Sequence, residues 1–524
     1  MGHIATEYLD RVIFTCWSSV MNKKAFGRRS FLRQTLGITL IGPWVVHAQN
    51  VRRRADKRPN LLVIHTDEHN FRTLGCYRQI IASDQALVWG PDAKVETPNI
   101  DWLAENGVLC TRFYATTPVC SPSRSAWVSG RYPQNTPVVS NNIPLADDIV
   151  TFAEILSQQG YATGYAGKWH LDGAGKPQWE PQRRFGFADN RYMFNRGHWK
   201  QMEDTPSGPR VAARNAKDEP TYDVAGANEQ NYTTDFLTDK TIDFIQAHQY
   251  HPFCFMVSYP DPHGPNTVRA PYDTLFENLT FTTPRTADKP AEGLPSWGKK
   301  ATKTISNQAL ARYFGMVKCV DDNVGRILEA LHQLDLMENT IVVFTADHGD
   351  LCGEHSRDNK GVPYEASAKI PMVLHYPEKV PSGILIHEAL SCVDFLPTIL
   401  ALMDVPTAGR EEGRDASSLF TTGKASDDWE DVAFFRSTGT SDKGWLAAVT
   451  RRYKIVYSAQ DDPWLFDLER DPDELTNYYR DRTYGAVVRS LAQHLLEYGQ
   501  RFRDERVEIP AVQTALLEAC NMWR

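Results

Sequence analysis

Leu61-Leu62-Val63-Ile64, running into Thr66-Asp67-Glu68-His69-Asn70, is the stretch on which the fold turns. Four consecutive aliphatic residues leave no polar face, so the run reads as a strand buried on both sides, as in a parallel sheet. It then breaks directly into two carboxylates and an imidazole. In α/β proteins ligands sit beyond the carboxyl ends of such strands.

Working outward, the pattern returns three times. Tyr161-Ala162-Thr163-Gly164-Tyr165-Ala166 ends in Gly167-Lys168-Trp169-His170. Phe253-Cys254-Phe255-Met256-Val257 leads to Asp261-Pro262-His263, and Thr340-Ile341-Val342-Val343-Phe344-Thr345 to Asp347-His348. Ile370 to Tyr376 is a further strand. Helical spacing is read up to Gly107, and over Phe152 to Gly160, Thr234 to His248, Ala309 to Leu334 and Asp394 to Met403. This alternation predicts an α/β fold: a large mixed, mostly parallel sheet sandwiched by helices. Residues 200–232 and 265–305, polar and interrupted by prolines, read as long surface excursions. After about residue 425 come short strands spaced by turns, closed by a helix over Val487 to Glu497. They predict a smaller antiparallel sheet. The expected division is a catalytic part over 59–424 and an antiparallel subdomain over 425–524.

Composition narrows the classes. The 524 residues are 42% hydrophobic, ample for a packed core. A net charge of −8 without a long basic run in the mature part argues against nucleic acid as the main partner. The nine cysteines show no C-x-x-C spacing, so neither a zinc site nor a disulfide framework is indicated. At the N-terminus, Lys23 and Lys24 precede Gly27-Arg28-Arg29-Ser30-Phe31-Leu32, an apolar run from Leu36 to Val46, and Val46-His47-Ala48. These read as a twin-arginine export signal over 1–48, with Met21 the more conventional start, and a basic linker over 49–58. The apolar run is too short for a stable membrane span.

The chemistry begins with the acidic strand ends. Asp67, Glu68 and Asp347 gathered at one sheet edge repel each other unless a cation lies between them, and hard oxygen donors favour Ca2+ or Mg2+. The competing role for each carboxylate is to cap a nearby N–H. Cys120 sits before a helix opened by Pro122. A helix N-terminus favours an anion or a thiolate.

Cys120-Ser121-Pro122-Ser123-Arg124, continuing to Ser129-Gly130-Arg131, resembles the signature of the type I, formylglycine-dependent sulfatases of the alkaline phosphatase superfamily. Gly167-Lys168-Trp169-His170-Leu171 resembles that family's second signature. Ala346-Asp347-His348-Gly349, Asp261-Pro262-His263, Lys360 and Leu465 to Pro472 match further family segments in order. The resemblance implies an alkaline-phosphatase-like fold. It also implies a formylglycine nucleophile made from Cys120 by a maturation enzyme. Implied metal ligands are Asp67, Glu68, modified Cys120, Asp347 and His348. Glu68 departs from the family's more frequent Asp, and His348 stands where many relatives have Asn. Arg124 would activate the nucleophile, Lys168 and Lys360 hold the sulfate, His263 with Lys360 protonate the leaving alcohol, and His170 take a proton at release. Arg196, His198 and Trp199 are the expected substrate contacts. The expected protein is a periplasmic or secreted bacterial sulfatase, exported by the twin-arginine machinery and acting on a sulfated carbohydrate. Two alternatives stay open on the same scaffold: a phosphonate or phosphate diester hydrolase, and a non-catalytic glycan-binding relative.

Overall fold

The computed structural model describes residues 56–288, 293–299, 305–439 and 443–521. The export signal over 1–48 and most of the linker lie outside the described residues.

The sheet is built from β1 (Asn60–Asp67), β2 (Val108–Cys110), β3 (Ala162–Lys168), β4 (Asp189–Phe194), β5 (Phe253–Pro262), β6 (Thr340–Ala346), β7 (Met372–His375) and β8 (Ile384–Ile386). Their spatial order is β8-β2-β7-β6-β1-β5-β3-β4. β1 pairs in parallel with β5 and β6, β3 in parallel with β4 and β5, and β8 in parallel with β2. Only β7 runs against its two neighbours. The mixed, mostly parallel sheet predicted from the strand pattern is therefore present.

β1 shows why the sheet is covered on both faces. Leu61 and Val63 point into one apolar cluster, Leu62 and Ile64 into another, and all four are fully buried. The first cluster is supplied by α2 (Cys120–Ser129), α3 (Phe152–Gln158) and α6 (Cys392–Leu402). The second is supplied by α1 (Pro98–Glu105), α4 (Thr233–Ala247) and α5 (Asn307–Gln333). α3 starts on a capping box, Thr151 with Glu154, which satisfies two N–H groups that a helix start leaves unpaired.

A second sheet is an antiparallel meander of β9 (Ala433–Arg436), β10 (Trp445–Val449), β11 (Tyr453–Ser458) and β12 (Trp464–Asp467). It is followed by α7 (Gly485–Phe502) and α8 (Pro510–Asn521). Leu446, Ala448, Ile455 and Leu465 of this sheet join the same apolar cluster as α2 and α6.

One excursion is more ordered than expected. Within 200–232, Met202–Thr205 and Gly208–Val211 form an antiparallel hairpin. Each strand carries one buried apolar anchor, Met202 or Val211, and the rest is polar, so no alternation marks it in sequence. The excursion over 265–305 holds only two short 3-10 turns, Arg285–Asp288 and Ser296–Gly298, among its described residues.

Candidate active site

The registers of β1, β3, β5 and β6 bring their carboxyl ends to one edge. Asp67 lies opposite Pro262, and Thr66 opposite Ala346. Close strand approach is needed there. A Cβ on Gly167 would fall 2.0 Å from the Ser258 carbonyl oxygen, and its φ of +109° suits glycine alone. Just past the strand ends, Glu68 (φ 61°) and His170 (φ 62°) take left-handed conformations that turn the chain sharply.

Cys120 opens α2 and is 2% exposed. Its Sγ lies 3.3 Å from His348 Nε2, 3.7 Å from Lys168 Nζ and 3.8 Å from Asp67 Oδ1. Burial and Asp67 push the thiol pKa up. Lys168, Lys360 and His348 outweigh them and bring it down to about 7.

Arg124, one turn along α2, braces the carboxylates. Its Nε donates to Asp347 Oδ2 and an Nη to Asp67 Oδ2, both at 2.9 Å. The other Nη donates to the Lys168 carbonyl at 2.7 Å and to Ser258 Oγ at 2.8 Å. The remaining oxygens, Asp67 Oδ1 and Asp347 Oδ1, lie 3.9 and 3.5 Å from His348 Nε2. Asp67, Cys120, Asp347 and His348 thus present donor atoms that all lie within 4.8 Å of one another. Burial opposes a charge on His348, yet Asp347 and the cysteine raise it to about 9. A concentration of negative charge that draws a proton onto an imidazole also suits a divalent cation, which competes with that proton.

Glu68, the fifth ligand that the resemblance implies, lies outside this group. Its longer arm carries the carboxylate toward the opposite wall. There Oε2 lies 2.9 Å from His263 Nε2 and 3.0 Å from Lys360 Nζ. Burial works against its ionisation, but His263 and Lys360 hold the carboxyl well below the usual range.

The second wall is an imidazole–ammonium network. Lys360 Nζ and His263 Nε2 are 2.7 Å apart, and Lys168 Nζ and His198 Nε2 2.8 Å. His198 and His263 stack face to face at 3.6 Å. Lys168 also pairs with Asp67. Burial, then Lys168 and Arg124, push His170 down to about 2, so this imidazole is neutral at any working pH.

Cys120, Lys168, His170, Arg196, His198, His263 and Lys360 line one cavity of about 190 Å3. Asn141, Asn142, Lys176 and Tyr222, with Gly197, complete its wall, and none of the first four was picked out from the sequence. They stand in loops, where a polar residue facing a cavity and one facing solvent look alike. Trp199 is not in the wall. It is buried, donates to the Arg196 carbonyl at 3.1 Å, and lies tilted against Tyr222 with ring centres 4.7 Å apart. Asp261 is also an anchor. It accepts from Lys200, Tyr232 and Thr234, each at 2.7 Å, and ties the hairpin region to β5.

A mostly parallel sheet with a paired-aspartate, cysteine and histidine cluster at its carboxyl edge is the arrangement that the resemblance to the alkaline phosphatase superfamily implies. Comparison with known proteins narrows the class. The family model described as Sulfatase matches residues 54–405, and one described as N-sulphoglucosamine sulphohydrolase, C-terminal, matches residues 353–501. The chain belongs to the sulfatase family, in its type I branch, and is a sulfuric ester hydrolase. It is 25% identical to an N-acetylglucosamine-6-O-sulfatase of Bacteroides thetaiotaomicron, over 90% of this chain and 91% of that one. It is 27% identical to an ulvan-active sulfatase of Formosa agariphila, over 85% and 83% of the two chains. A solved structure described as a complex with its substrate D-glucosamine-2-N,6-O-disulfate superposes with a TM-score of 0.70 at 22% identity. That match covers 85% of this chain and 98% of the other, and it bears on the fold alone.

Proposed function

We propose that this chain is an exported enzyme that removes sulfate from sulfated carbohydrates, using a formylglycine made from Cys120 and a divalent cation, Ca2+ or Mg2+. The observation that carries the reading is convergence on one atom. The Cys120 Sγ faces a donor cluster on one side and two lysines on the other, at the floor of a single cavity. Asp67, Asp347, His348 and the oxidised residue 120 would hold the cation; carboxylate oxygens fit it, and an imidazole completes the set. When bound, it supplies positive charge that favours a deprotonated hydroxyl on residue 120 and steadies the sulfate. A formylglycine at residue 120 would supply, as its hydrate, one hydroxyl as the nucleophile toward sulfur and a second that can be deprotonated to release sulfate.

The chain's own residues do the rest. Arg124 fixes both aspartates and adds fixed positive charge beneath the nucleophile. Lys168 and Lys360 meet the sulfate oxygens, whose charge redistributes as the sulfur–oxygen bond to the alcohol breaks. His263, held by Glu68 and next to Lys360, stands where it can deliver the proton that the departing alkoxide needs. His170, kept neutral by burial, accepts the proton lost from the second hydroxyl. Tyr222, Lys176 and Arg196 at the wall offer an aromatic face and cations to a sugar ring and its charged substituents. The carbohydrate class is supported by the names of the relatives, and export by the twin-arginine pattern at Gly27 to Leu32. The implied partners are a maturation enzyme and the twin-arginine machinery. Among the described residues, no helix is long and apolar enough to cross a membrane.

Two measurements test this. The peptide containing Cys120, from protein made in its native host, should carry an aldehyde mass, and Cys120→Ala should lose sulfate release while keeping its fold. Matched aryl sulfate and aryl phosphonate esters should be turned over in favour of the sulfate. An unmodified thiol in an active preparation, or faster phosphonate turnover, would overturn the proposal.

A further inference from the structure

His198 and His263 stack with ring centres 3.6 Å apart and planes at 8°, yet they arrive from strands that do not touch. His198 follows β4 and His263 follows β5, and β3 lies between these two in the sheet. Strands spaced by about 4.8 Å put the two ends roughly 10 Å apart, so strand pairing does not by itself bring the rings together.

The join is a buried ion pair two residues from each ring. Lys200, two residues after His198, is fully buried, and its Nζ donates to Asp261 Oδ1 at 2.7 Å. Asp261, two residues before His263, is 1% exposed. Its other oxygen accepts from the Tyr232 and Thr234 hydroxyls, each at 2.7 Å, so both oxygens are engaged. The backbone beside Lys200 is tied to the chain entering α4. The Thr233 N–H donates to the Lys200 carbonyl at 3.1 Å, and the Met202 N–H to the Asn231 carbonyl at 2.8 Å. Burying two charges costs desolvation, and an apolar pair of similar volume is often as stable. What directional, charge-assisted bonds add is a fixed distance and angle between the segments they join.

The rings use that geometry. His263 Nδ1 lies 2.8 Å from the Gly264 carbonyl, which can only accept, so Nδ1 carries the hydrogen and Nε2 faces Glu68 and Lys360. His198 Nε2 lies 2.8 Å from the Lys168 ammonium, which can only donate, so Nε2 is the acceptor. Burial, then Lys168 and His263, hold His198 well below the usual imidazole range, and a neutral ring therefore backs the face of His263. This flat contact closes one direction in which His263 could swing from the wall.

We propose that Lys200 and Asp261 are positioning residues for the proton given to the leaving group: their ion pair seats His198 against His263 and so holds the His263 ring beside Lys360. The acid role of His263 rests on the sulfatase reading above; the seating of its ring rests on these contacts.

The test removes both charges together in the full chain, Lys200→Met with Asp261→Asn, so that no lone charge stays buried. On matched sulfate esters, kcat should fall at least about tenfold for alkyl esters and less than about threefold for aryl esters, whose phenolate leaves without a proton. Lys200→Arg, which keeps the charge and changes the reach, should show the same selectivity at about threefold for alkyl esters, and decides the matter if the double variant does not fold. Diethyl pyrocarbonate reads the rings directly: a ring nitrogen takes its ethoxycarbonyl group, ethyl carbonate leaves, and peptide mapping gives the rate at each histidine. His198 and His263 should react at least about fivefold faster once the pair is removed, since both rings are freed locally. Equal losses on the two ester classes would reduce the pair to a structural tie, and unchanged modification rates would show that it does not seat the rings; either result overturns the proposal. Failure of the sulfatase reading would show separately, as no sulfate release by the unsubstituted enzyme with the faster modification intact.

Discussion

Glu68 is one methylene longer than Asp, and its carboxylate lies with His263 and Lys360 rather than with the aspartates. Its carboxylate serves His263 and Lys360 at 2.9 and 3.0 Å and stands outside the donor cluster. His263→Gln should therefore lower kcat by about 100-fold or more on alkyl sulfates, and far less on aryl sulfates, whose phenolate leaves without a proton, whereas Lys360→Met, which also takes a charge from the sulfate oxygens, should lower both. A matched series of leaving groups checks this; equal losses across the series for His263→Gln would remove that residue from the acid role. A second residue-level expectation concerns His69, buried with both ring nitrogens against threonine hydroxyls at 3.1 Å. Burial alone pushes it down to about 3. The unfolded chain binds this proton below its ordinary value of about 6.5 while the folded chain does not, so the contribution to stability is whole above 6.5 and shrinks as pH falls toward 3. Each pH unit in that window costs about 1.4 kcal/mol. His69→Gln, which keeps a donor and an acceptor, should thus remove about 2 kcal/mol of the stability lost between pH 6.5 and 5, read by denaturant unfolding at both pH values.

Elements carried the sequence reading well wherever burial made a continuous apolar run. β1, β3, β5 and β6 are legible because a strand covered on both faces has no room for polar residues, and the sharp change at its end marks the ligand edge. The hairpin at Met202–Val211 was not legible, since one apolar residue per strand makes no period. Trp199 is ambiguous for the opposite reason: an indole beside charged residues suits a stacking platform or loop packing alike, and here its N–H is satisfied by the Arg196 carbonyl and its ring lies against Tyr222. Glu68 showed its departure from the family pattern in sequence, yet the direction its arm would take depends on His263 and Lys360, 195 and 292 residues away. Gly167 tests how tightly the strands must approach. Gly167→Ala would set a Cβ into the Ser258 carbonyl and force β3 from β5, displacing Lys168 and His170 together. Stability should fall by about 2–4 kcal/mol and kcat should fall with it. A variant with unchanged melting temperature and turnover would show that the edge tolerates the shift.

Across the whole molecule, the meander sheet is held to the larger one by apolar packing and by a buried ionic strut. Lys454 of β11 is fully buried between Glu365 and Glu474. Lys454→Met would leave two carboxylates short of a counter-charge in a dry environment and should cost about 3–5 kcal/mol. Urea unfolding checks the value; a loss under about 1 kcal/mol would mean that Arg112 and Lys369 suffice. The order of strands has a consequence in time. β1, at the centre of the large sheet, is made early, but its partner β6 ends at Ala346, 226 residues after Cys120. Until that partner emerges, the wall bearing Asp347 and His348 does not exist, and the thiol that is finally 2% exposed stands open. At about 5–20 residues per second, synthesis leaves roughly 10–45 s for an enzyme to reach that thiol. On the proposed conversion of Cys120 to formylglycine, the maturation enzyme works against the ribosome's clock, and slowing or hastening translation between residues 120 and 346 should raise or lower the fraction of chains that mature.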